Sequence, residues 1–515
     1  MNLPSEFEQY TRQLFGEALY ERFTDGMAAP PLTSVRLNPA KCASWRVAEC
    51  VAGDSVPWCN DGFYLKERQP FTFDPLLHAG LYYVQEAASM VVKAISESGA
   101  RNVGGERAVS VRYDAGQNVA SRPLRLALDL CAAPGGKSTA LRAALPDNWL
   151  LMSNEPMRQR AQVLSENLQK WGDANVIVTN SYPKDYRKSG LMFDMILCDV
   201  PCSGEGMFRK DEGAIAEWSA QNVENCWRLQ REIVADAWEC LREGGILIYS
   251  TCTFNTKENE ENVQWMMEEL NASPVSFDRM SDTLAQPEWT EGIVGSLFPN
   301  FHAPVLRFIP GVTRSEGLFV AVVRKGDGAA APAPPERKTD KNRPMRHQEE
   351  KAYIDKVLTV DALPVAGDAA LYAIPAQWSD IYAQVAKKLN VIHAGVKVGT
   401  VKGKDLVPDQ SLALSTVLRR GAFPEVEVDY RQAVSYLCKE AVALPPDTPR
   451  GFVLLTYKGV PIGFEKNLGN RANNLYPQEW RIKSTHVPEE FIVLEKTHKE
   501  ADAADKDSLD GLNSL

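Results

Sequence analysis

LDLCAAPGGKSTAL, residues 128–141, joins a short apolar strand to a helix through a turn with two adjacent glycines. Gly135 and Gly136 let the backbone approach a ligand closely. The helix that follows opens with unpaired N–H groups and a partial positive charge, which suits a carboxylate or a phosphate. The turn matches neither GxGxxG nor GxxxxGK(S/T), so a dinucleotide or a P-loop nucleotide fits poorly. Outward from it, apolar strands recur at LALDL (126–130), WLLM (149–152), NVIVT (175–179), DMILC (194–198) and GILIYS (245–250). Between them, MRQRAQVLSENLQKW (157–171) reads as a helix closed by Gly172. A second helix, Ser219 to Leu241, aligns Val223, Trp227, Val234, Trp238 and Leu241 on one stripe. This alternation predicts an α/β fold, a Rossmann-like, doubly wound and mainly parallel sheet.

The chain has 515 residues, enough for about two to four domains. Residues 1–120 read as an N-terminal unit of helical or α+β make-up, mostly helical to about residue 95, with 96–122 read as a loop or short hairpin. The strand–helix alternation fills 121–325. GDGAAAPAPPERKTDKNRPMRHQ (326–348) cannot form a core and marks a linker over 326–350. Residues 351–495 read as a separate small α+β domain, and 496–515 as a polar, acidic tail. The chain shows no apolar run of about 18 residues and no secretory signal, so a cytoplasmic protein without a membrane is expected. Ten cysteines and six histidines include no CxxC pair, and the spacing of Cys42, Cys50 and Cys59 is wrong for zinc, so no metal site is expected. The net charge of −10 does not exclude nucleic acid, because binding depends on local basic faces. The acidic runs at 257–269 and 499–511 read as solvated surface.

Glu155 follows the strand after the glycine turn, where an acid accepts the two hydroxyls of a ribose. Together with the Cys131, Ala132, Ala133, Pro134, Gly135, Gly136 and Lys137 loop, it suits an adenosine whose tail is an amino acid, which describes S-adenosylmethionine (SAM). Two more strand ends carry cysteines: Cys202 in CDVPCSGEGMFRKD (198–211) and Cys252 in YSTCTFN (249–255). In a parallel sheet both lie where ligands bind. A thiolate that adds to carbon 6 of a cytosine activates carbon 5 towards a methyl donor. Asp199 is placed to meet the charge that develops at ring nitrogen 3. A second cysteine then helps remove the carbon-5 proton. Asn255 and Glu258 are expected to cap the next helix, which leaves Cys252 on a turn. Cys198, Cys226 and Cys240 fall within strand or helix patterns and read as buried packing residues.

CAAPGGK, DVPCSGEGMFRKD and YSTCTFNTKENEENV resemble the motifs of the Nol/Nop/Sun family of RNA cytosine-5 methyltransferases, and the whole chain resembles its bacterial RsmF-type rRNA enzymes. SVRLNP (34–39) and YYVQEAASM (82–90) match that family's N-terminal elements. The resemblance implies Cys252 as nucleophile, Cys202 as the cysteine that assists release, and SAM contacts at Cys131 through Lys137, Glu155 and Asp199. It also implies that Lys137 and Asp199 face the target base. TNSYPKDY (179–186) departs from the family pattern, with no carboxylate before Asp185, so Asn180 is the candidate for the adenine amino group. GVKVGTVKG (395–403), YKGVPIGFEKN (457–467) and YPQEWRIK (476–483) resemble PUA-like RNA-binding modules. There Lys397, Lys402, Lys404, Arg419, Arg420 and Lys466 are candidates for phosphate contacts or plain solvated surface. A monomer acting on small-subunit rRNA or a 30S particle is the leading expectation. A tRNA enzyme, a SAM-dependent transferase with another substrate, and a non-catalytic RNA-binding factor are the rivals.

Overall fold

The computed structural model describes residues 3–102, 123–277, 293–326, 345–366, 370–403, 405–484 and 486–497. Helices α1 (Ser5–Phe15) and α2 (Glu17–Ala28) lead into β1 (Thr33–Leu37), β2 (Trp45–Val47), β3 (Ala52–Ser55), β4 (Gly62–Leu65), the short α3 (Pro75–His78) and β5 (Tyr82–Val84). Four of these strands form an antiparallel sheet in the order β3-β4-β1-β5. The expectation of a mostly helical segment is therefore corrected. These strands are too short to display a period-two alternation, and β1 is buried over most of its length rather than on one face. Helix α4 (Val91–Asn102) continues through residues 96–102, where a loop was expected. A Cβ at Gly99 would collide with Ile246 and Met195, so the small residue lets the helix lie directly on the main sheet. The rest of the expected loop, residues 103–122, is outside the described residues.

The main sheet holds the five expected strands as β6 (Arg125–Asp129), β7 (Trp149–Asn154), β8 (Val176–Thr179), β9 (Phe193–Asp199) and β10 (Leu241–Thr251), all parallel. β11 (Ala272–Pro274), β12 (Val305–Phe308) and β13 (Leu318–Lys325) add antiparallel partners on the β10 side. Strands β7 and β8 are buried at every residue, the pattern of a sheet covered on both faces. The covering helices are α5 (Gly136–Ala144), α6 (Arg158–Trp171), α7 (Pro183–Ser189), α9 (Ala220–Cys240) and α10 (Glu260–Glu269), while the short α8 (Glu212–Glu217) lies against the N-terminal helices. Gly172 ends α6 in the left-handed conformation, φ 86°, and the Ser219 hydroxyl caps α9. On the α9 stripe Val223, Val234 and Trp238 are buried. Trp227 is only half-buried and carries the Arg231 guanidinium 4.2 Å above its ring. The chain runs outward from β6 to β8, then returns past β6 to β9 and β10. That reversal opens a crevice at the carboxyl ends of β6 and β9.

After the linker, β14 (Ala362–Ala366), β15 (Ala370–Pro375), β16 (Val391–Ala394), β17 (Val396–Lys402) and β18 (Asp405–Pro408) precede β19 (Glu425–Glu427), β20 (Gly451–Tyr457), β21 (Val460–Asn467), β22 (Ala472–Asn474) and β23 (Leu494–Lys496). They build two four-stranded sheets, β14-β15-β17-β18 and β19-β20-β21-β22. The expected separateness of this region is corrected by two strands. β16 pairs antiparallel with β8 and so completes the main sheet, and β23 pairs with β2. Val35 and Tyr82 share one apolar cluster with Val434, Tyr436 and Leu494. Residues 327–344 of the linker and 498–515 of the tail are outside the described residues. Among the described residues no helix is long and apolar enough to cross a membrane.

Removal of residues 345–515 would turn β8 into an open edge and expose half of that shared cluster. The expected product aggregates, or melts at a midpoint lower by on the order of 10 °C or more. A truncated chain that keeps the parent's midpoint in scanning calorimetry contradicts this.

Candidate active site

The turn after β6 is stitched down by its neighbours. Ala132 N–H donates to the Asn154 carbonyl (2.8 Å) and Asn154 Nδ2 donates to the Leu130 carbonyl (3.1 Å). Arg160 and Asn167 from α6 hold the carbonyls of Ala133 (3.0 Å) and Pro134 (2.8 Å). Gly135 then turns with φ 114°, and α5 begins without a side-chain cap, so its first N–H groups face the loop. Two residues that sequence reasoning had only as parts of N-terminal motifs support this start. Arg36 donates to the Gly136 carbonyl (3.3 Å) and the Thr139 hydroxyl (2.6 Å), and Gln85 Oε1 accepts from Arg36 Nε (2.7 Å). Arg36 is buried with no carboxylate among these bonds, which nothing local in SVRLNP reveals.

Glu155 stands at the end of β7, only 2% exposed, with Oε1 accepting from Met157 N–H (2.9 Å) and Oε2 3.5 Å from Arg160. Asn180, after β8, spends its amide nitrogen on the carbonyls of Glu155 (2.8 Å) and Pro156 (2.9 Å). Its side-chain carbonyl is the group left for a ligand, an acceptor suited to an amino group. Asp185 instead caps α7, accepting from Tyr182 N–H (3.0 Å). Asn180 N–H donates to the carbonyl of Asn390, so the C-terminal region props this wall. An uncapped helix start, a buried carboxylate and an amide carbonyl fit the carboxylate, ribose and adenine of SAM in turn.

Across the crevice, Lys137 Nζ lies 2.9 Å from Asp199 Oδ2, and Ser250 Oγ donates to Asp199 Oδ1 (2.7 Å). The register that pairs Ser250 with Asp199 fixes this contact. Burial pulls the Lys137 ammonium down, but the Asp199 carboxylate more than reverses it, leaving the group above its ordinary value. Asp129, beneath them, is fully buried with Ser138 Oγ on Oδ2 (2.6 Å). Burial pushes its carboxyl up to about 7.

Cys202 and Cys252 come together at the mouth of β9 and β10, their Sγ atoms 3.2 Å apart. The hydrogen bond to Cys252 and then burial hold the Cys202 thiol well above its ordinary value. Burial raises the thiols of Cys198, Cys226 and Cys240 as well; Cys198 and Cys240 are buried as expected, whereas Cys226 is only half-buried. The acidic run after Cys252 departs from the solvated surface expected of it, because Glu258 and Glu260 are wholly buried. Asn255 and Glu258 do bond reciprocally, but around a turn; α10 starts only at Glu260. Glu205, Glu258 and Arg307 are the site residues that sequence reasoning missed. Arg307 pairs with Glu260 and donates to the Phe254 carbonyl (2.7 Å).

In the C-terminal region most candidate phosphate contacts are engaged internally. Lys397 pairs with Asp409 (2.8 Å), Lys466 with Asp405 (2.8 Å) and Arg420 with Glu425, while Arg419 donates to the Leu358 carbonyl (2.7 Å). Lys402 is exposed, and Lys404 lies outside the described residues. Lys402 and Trp480 line a cleft of about 680 Å³ between α6 and the C-terminal sheets.

A parallel sheet whose switch point carries a glycine turn, with an antiparallel β13 beside β10, is the architecture of Rossmann-like methyltransferases. The crystal structure of PH0851 agrees in fold, with a TM-score of 0.50, 21% identity, and coverage of 63% of this chain and 66% of that one. The families described as N-terminal domain of 16S rRNA methyltransferase RsmF, 16S rRNA methyltransferase RsmB/F, and methyltransferase RsmF PUA domain match residues 3–87, 119–324 and 423–482 in that order. The ribosomal RNA small subunit methyltransferase F of Erwinia tasmaniensis is 28% identical, over 92% of this chain and 96% of its own. That of Salmonella agona is 29% identical with the same coverage. The chain belongs to the RsmF-type rRNA methyltransferases, whose three domain models it matches in order.

Asp129 sets a pH dependence whose sign follows from its raised pKa. The folded chain keeps this proton up to about pH 7, whereas the unfolded chain loses it near the ordinary carboxylate value, so ionisation costs stability as pH rises between the two. The melting midpoint of Asp129→Asn, measured against the parent, should climb from pH 5 to pH 7 and then level. A constant difference across that window contradicts the assignment.

Proposed function

We propose that this protein transfers a methyl group from SAM to carbon 5 of a cytosine in small-subunit rRNA, through a covalent bond between Cys252 and the base. The pair of thiols 3.2 Å apart beside the Lys137–Asp199 ion pair carries the reading. A single buried cysteine would be packing; two at adjacent strand ends next to a carboxylate supply a nucleophile, a proton acceptor and an acid. Both thiols are half-buried rather than sealed, as a reacting group must be.

Cys252 Sγ adds to carbon 6 as a thiolate, forming a C–S bond and giving carbon 5 enamine character. Asp199, oriented by Lys137 and Ser250, passes a proton from the Lys137 ammonium to nitrogen 3 as negative charge develops there. When bound, SAM supplies the electrophilic methyl group that carbon 5 takes. The hydrogen bond that holds the proton on Cys202 is lost once the Cys252 sulfur is bonded to carbon. Cys202 is then free to lose that proton and take the one on carbon 5. The C–S bond breaks, nitrogen 3 returns its proton, and Cys252 leaves as a thiolate. Cys131 to Lys137, Glu155, Asn180 and Asp199 hold the cofactor in this reading. The substrate is the rRNA or the 30S particle, met by a monomer in the cytoplasm. The cleft lined by Lys402 and Trp480 is its candidate for further RNA contact, since an exposed cation and an indole suit phosphate and base.

Methyl transfer from labelled SAM to small-subunit rRNA should fall by on the order of 10³-fold or more in Cys252→Ala. SAM binding by calorimetry should be unchanged in the same variant. Cys202→Ala should bind SAM, react once, and stay attached to the RNA as a band that survives denaturing electrophoresis. Full activity of Cys252→Ala, or free turnover by Cys202→Ala, contradicts these roles.

A further inference from the structure

Cys202 and Cys252 are 50 positions apart in the chain. Each sits on its own loop, and no covalent link sets their separation. Each loop instead sends a carboxylate into the other. Glu205, three residues after Cys202, reaches the Cys252 loop. Its Oε2 accepts from the N–H groups of Phe254 (2.7 Å) and Asn255 (3.1 Å), and its Oε1 from Asn255 Nδ2 (3.0 Å) and Trp218 Nε1 (3.1 Å). Glu258, six residues after Cys252, reaches back. Its Oε1 accepts from Ser203 N–H (2.9 Å) and Gln230 Nε2 (2.8 Å), and its Oε2 from Ser203 Oγ (2.5 Å) and Asn255 Nδ2 (2.6 Å). The Asn255 amide nitrogen therefore bridges the two acids. Between them Gly206 N–H donates to the Cys252 carbonyl (2.6 Å), and a Cβ on Gly206 would lie only 2.6 Å from that oxygen.

We propose that Glu205 and Glu258 are a reciprocal pair of positioning residues, each carrying the backbone of the other cysteine's loop, which together hold the nucleophilic and releasing thiols at one separation. The proposal rests on the reading of Cys252 as nucleophile and Cys202 as the releasing group.

Two observations set this pair apart from ordinary packing. Both side chains are wholly buried, and burial pushes both carboxyls up; for Glu205 the nearby Glu258 adds to it and the carboxyl reaches about 7. Two acids held near each other in a dry site carry a cost that apolar residues would avoid, so such pairs mark functional sites more often than stabilising ones. The donors are also specific. Each carboxylate faces four hydrogens, a demand that only a group with two free acceptor oxygens meets. Glutamine has the same shape but one acceptor oxygen, and its NH2 group would point at N–H donors. From behind, the loops are pressed by the N-terminal helices, with Phe208 against Phe7 and Phe254 against Phe15 and Phe23. That wall resists large movements; the carboxylates set the fine distance.

The test uses full-length Glu205→Gln and Glu258→Gln. Melting midpoint and SAM affinity report whether each variant is folded and loaded. Single-turnover formation of the covalent RNA adduct reports the chemistry. Disulfide formation between Cys202 and Cys252 under diamide, a diazene that takes up the two thiol hydrogens, measures the separation independently of RNA. Both variants should keep SAM affinity, form the adduct more slowly by on the order of 10²-fold, and form the disulfide more slowly too. Their KM for RNA should move little. Folded variants that match the parent in adduct and disulfide rates overturn the proposal. If either glutamine variant fails to fold, Ser203→Ala and Trp218→Phe, which each delete one donor to one acid, carry the same test. Parental rates in both would overturn it equally. A parent chain that forms no adduct through Cys252 would instead sink the underlying reading of the reaction, with the disulfide rates still deciding the clamp.

Discussion

The register that sets Ser250 opposite Asp199 brings the ends of β9 and β10 level, and the parallel pairing of β9 with β6 brings the cofactor turn to the same height. The groups proposed for the chemistry converge from those three strand ends. Lys137 enters from the turn after β6, Asp199 ends β9, Ser250 lies near the end of β10, and the two cysteines sit on the loops that leave β9 and β10. A slip of one residue in that pairing would turn Asp199 to the opposite face of the sheet and leave Lys137 without its partner. The sheet therefore acts as a jig. Its buried Val, Ile and Leu residues hold a register that the loops alone would not.

Around this jig the protein buries several ionisable groups. Arg36, Asp129, Glu155, Glu205, Glu258, Glu260 and Arg307 are all nearly inaccessible to water. Taking such groups out of water is costly, and the structure offsets much of the cost with loop backbone groups around Arg36, Glu155, Glu205 and Glu258 and with the ion pair of Glu260 and Arg307. The result is a set of turns whose N–H and carbonyl groups are spoken for before any substrate arrives. Preorganised groups of this kind suit a reaction in which a thiolate, a proton donor and a methyl donor must meet one planar base. The N-terminal helices and the C-terminal strand β16 belong to the same frame: the first back the cysteine loops with aromatic rings, and the second closes the edge beside Asn180.

Much of this was legible in the sequence. The five core strands read clearly because each is a continuous apolar run between helical stretches, and the turn with Gly135 and Gly136 marked the crevice. That Cys202 and Cys252 lie after neighbouring strands was legible from the strand pattern, and the structure brings them to 3.2 Å. Other parts were hidden for physical reasons. The N-terminal strands are three to five residues long, too brief for alternation to appear. Glu258 and Glu260 look like solvated acids because their partners come from far along the chain, Ser203 and Gln230 for one and Arg307 for the other. β16 looked like part of a separate domain, since nothing local in VIHA reveals that β8 lacks a neighbour. Long-range pairing is what a single sequence conceals best.

The central claim is that the Cys252 sulfur bonds to the cytosine. Small-subunit rRNA transcribed with 5-fluorocytosine tests it most directly, because fluorine replaces the proton that must leave and so blocks release after methylation. Digestion of the trapped complex and mass spectrometry of its peptides should find the modified nucleotide on Cys252. A nucleotide attached to Cys202, or no attachment while ordinary cytosine RNA is methylated, would contradict the account.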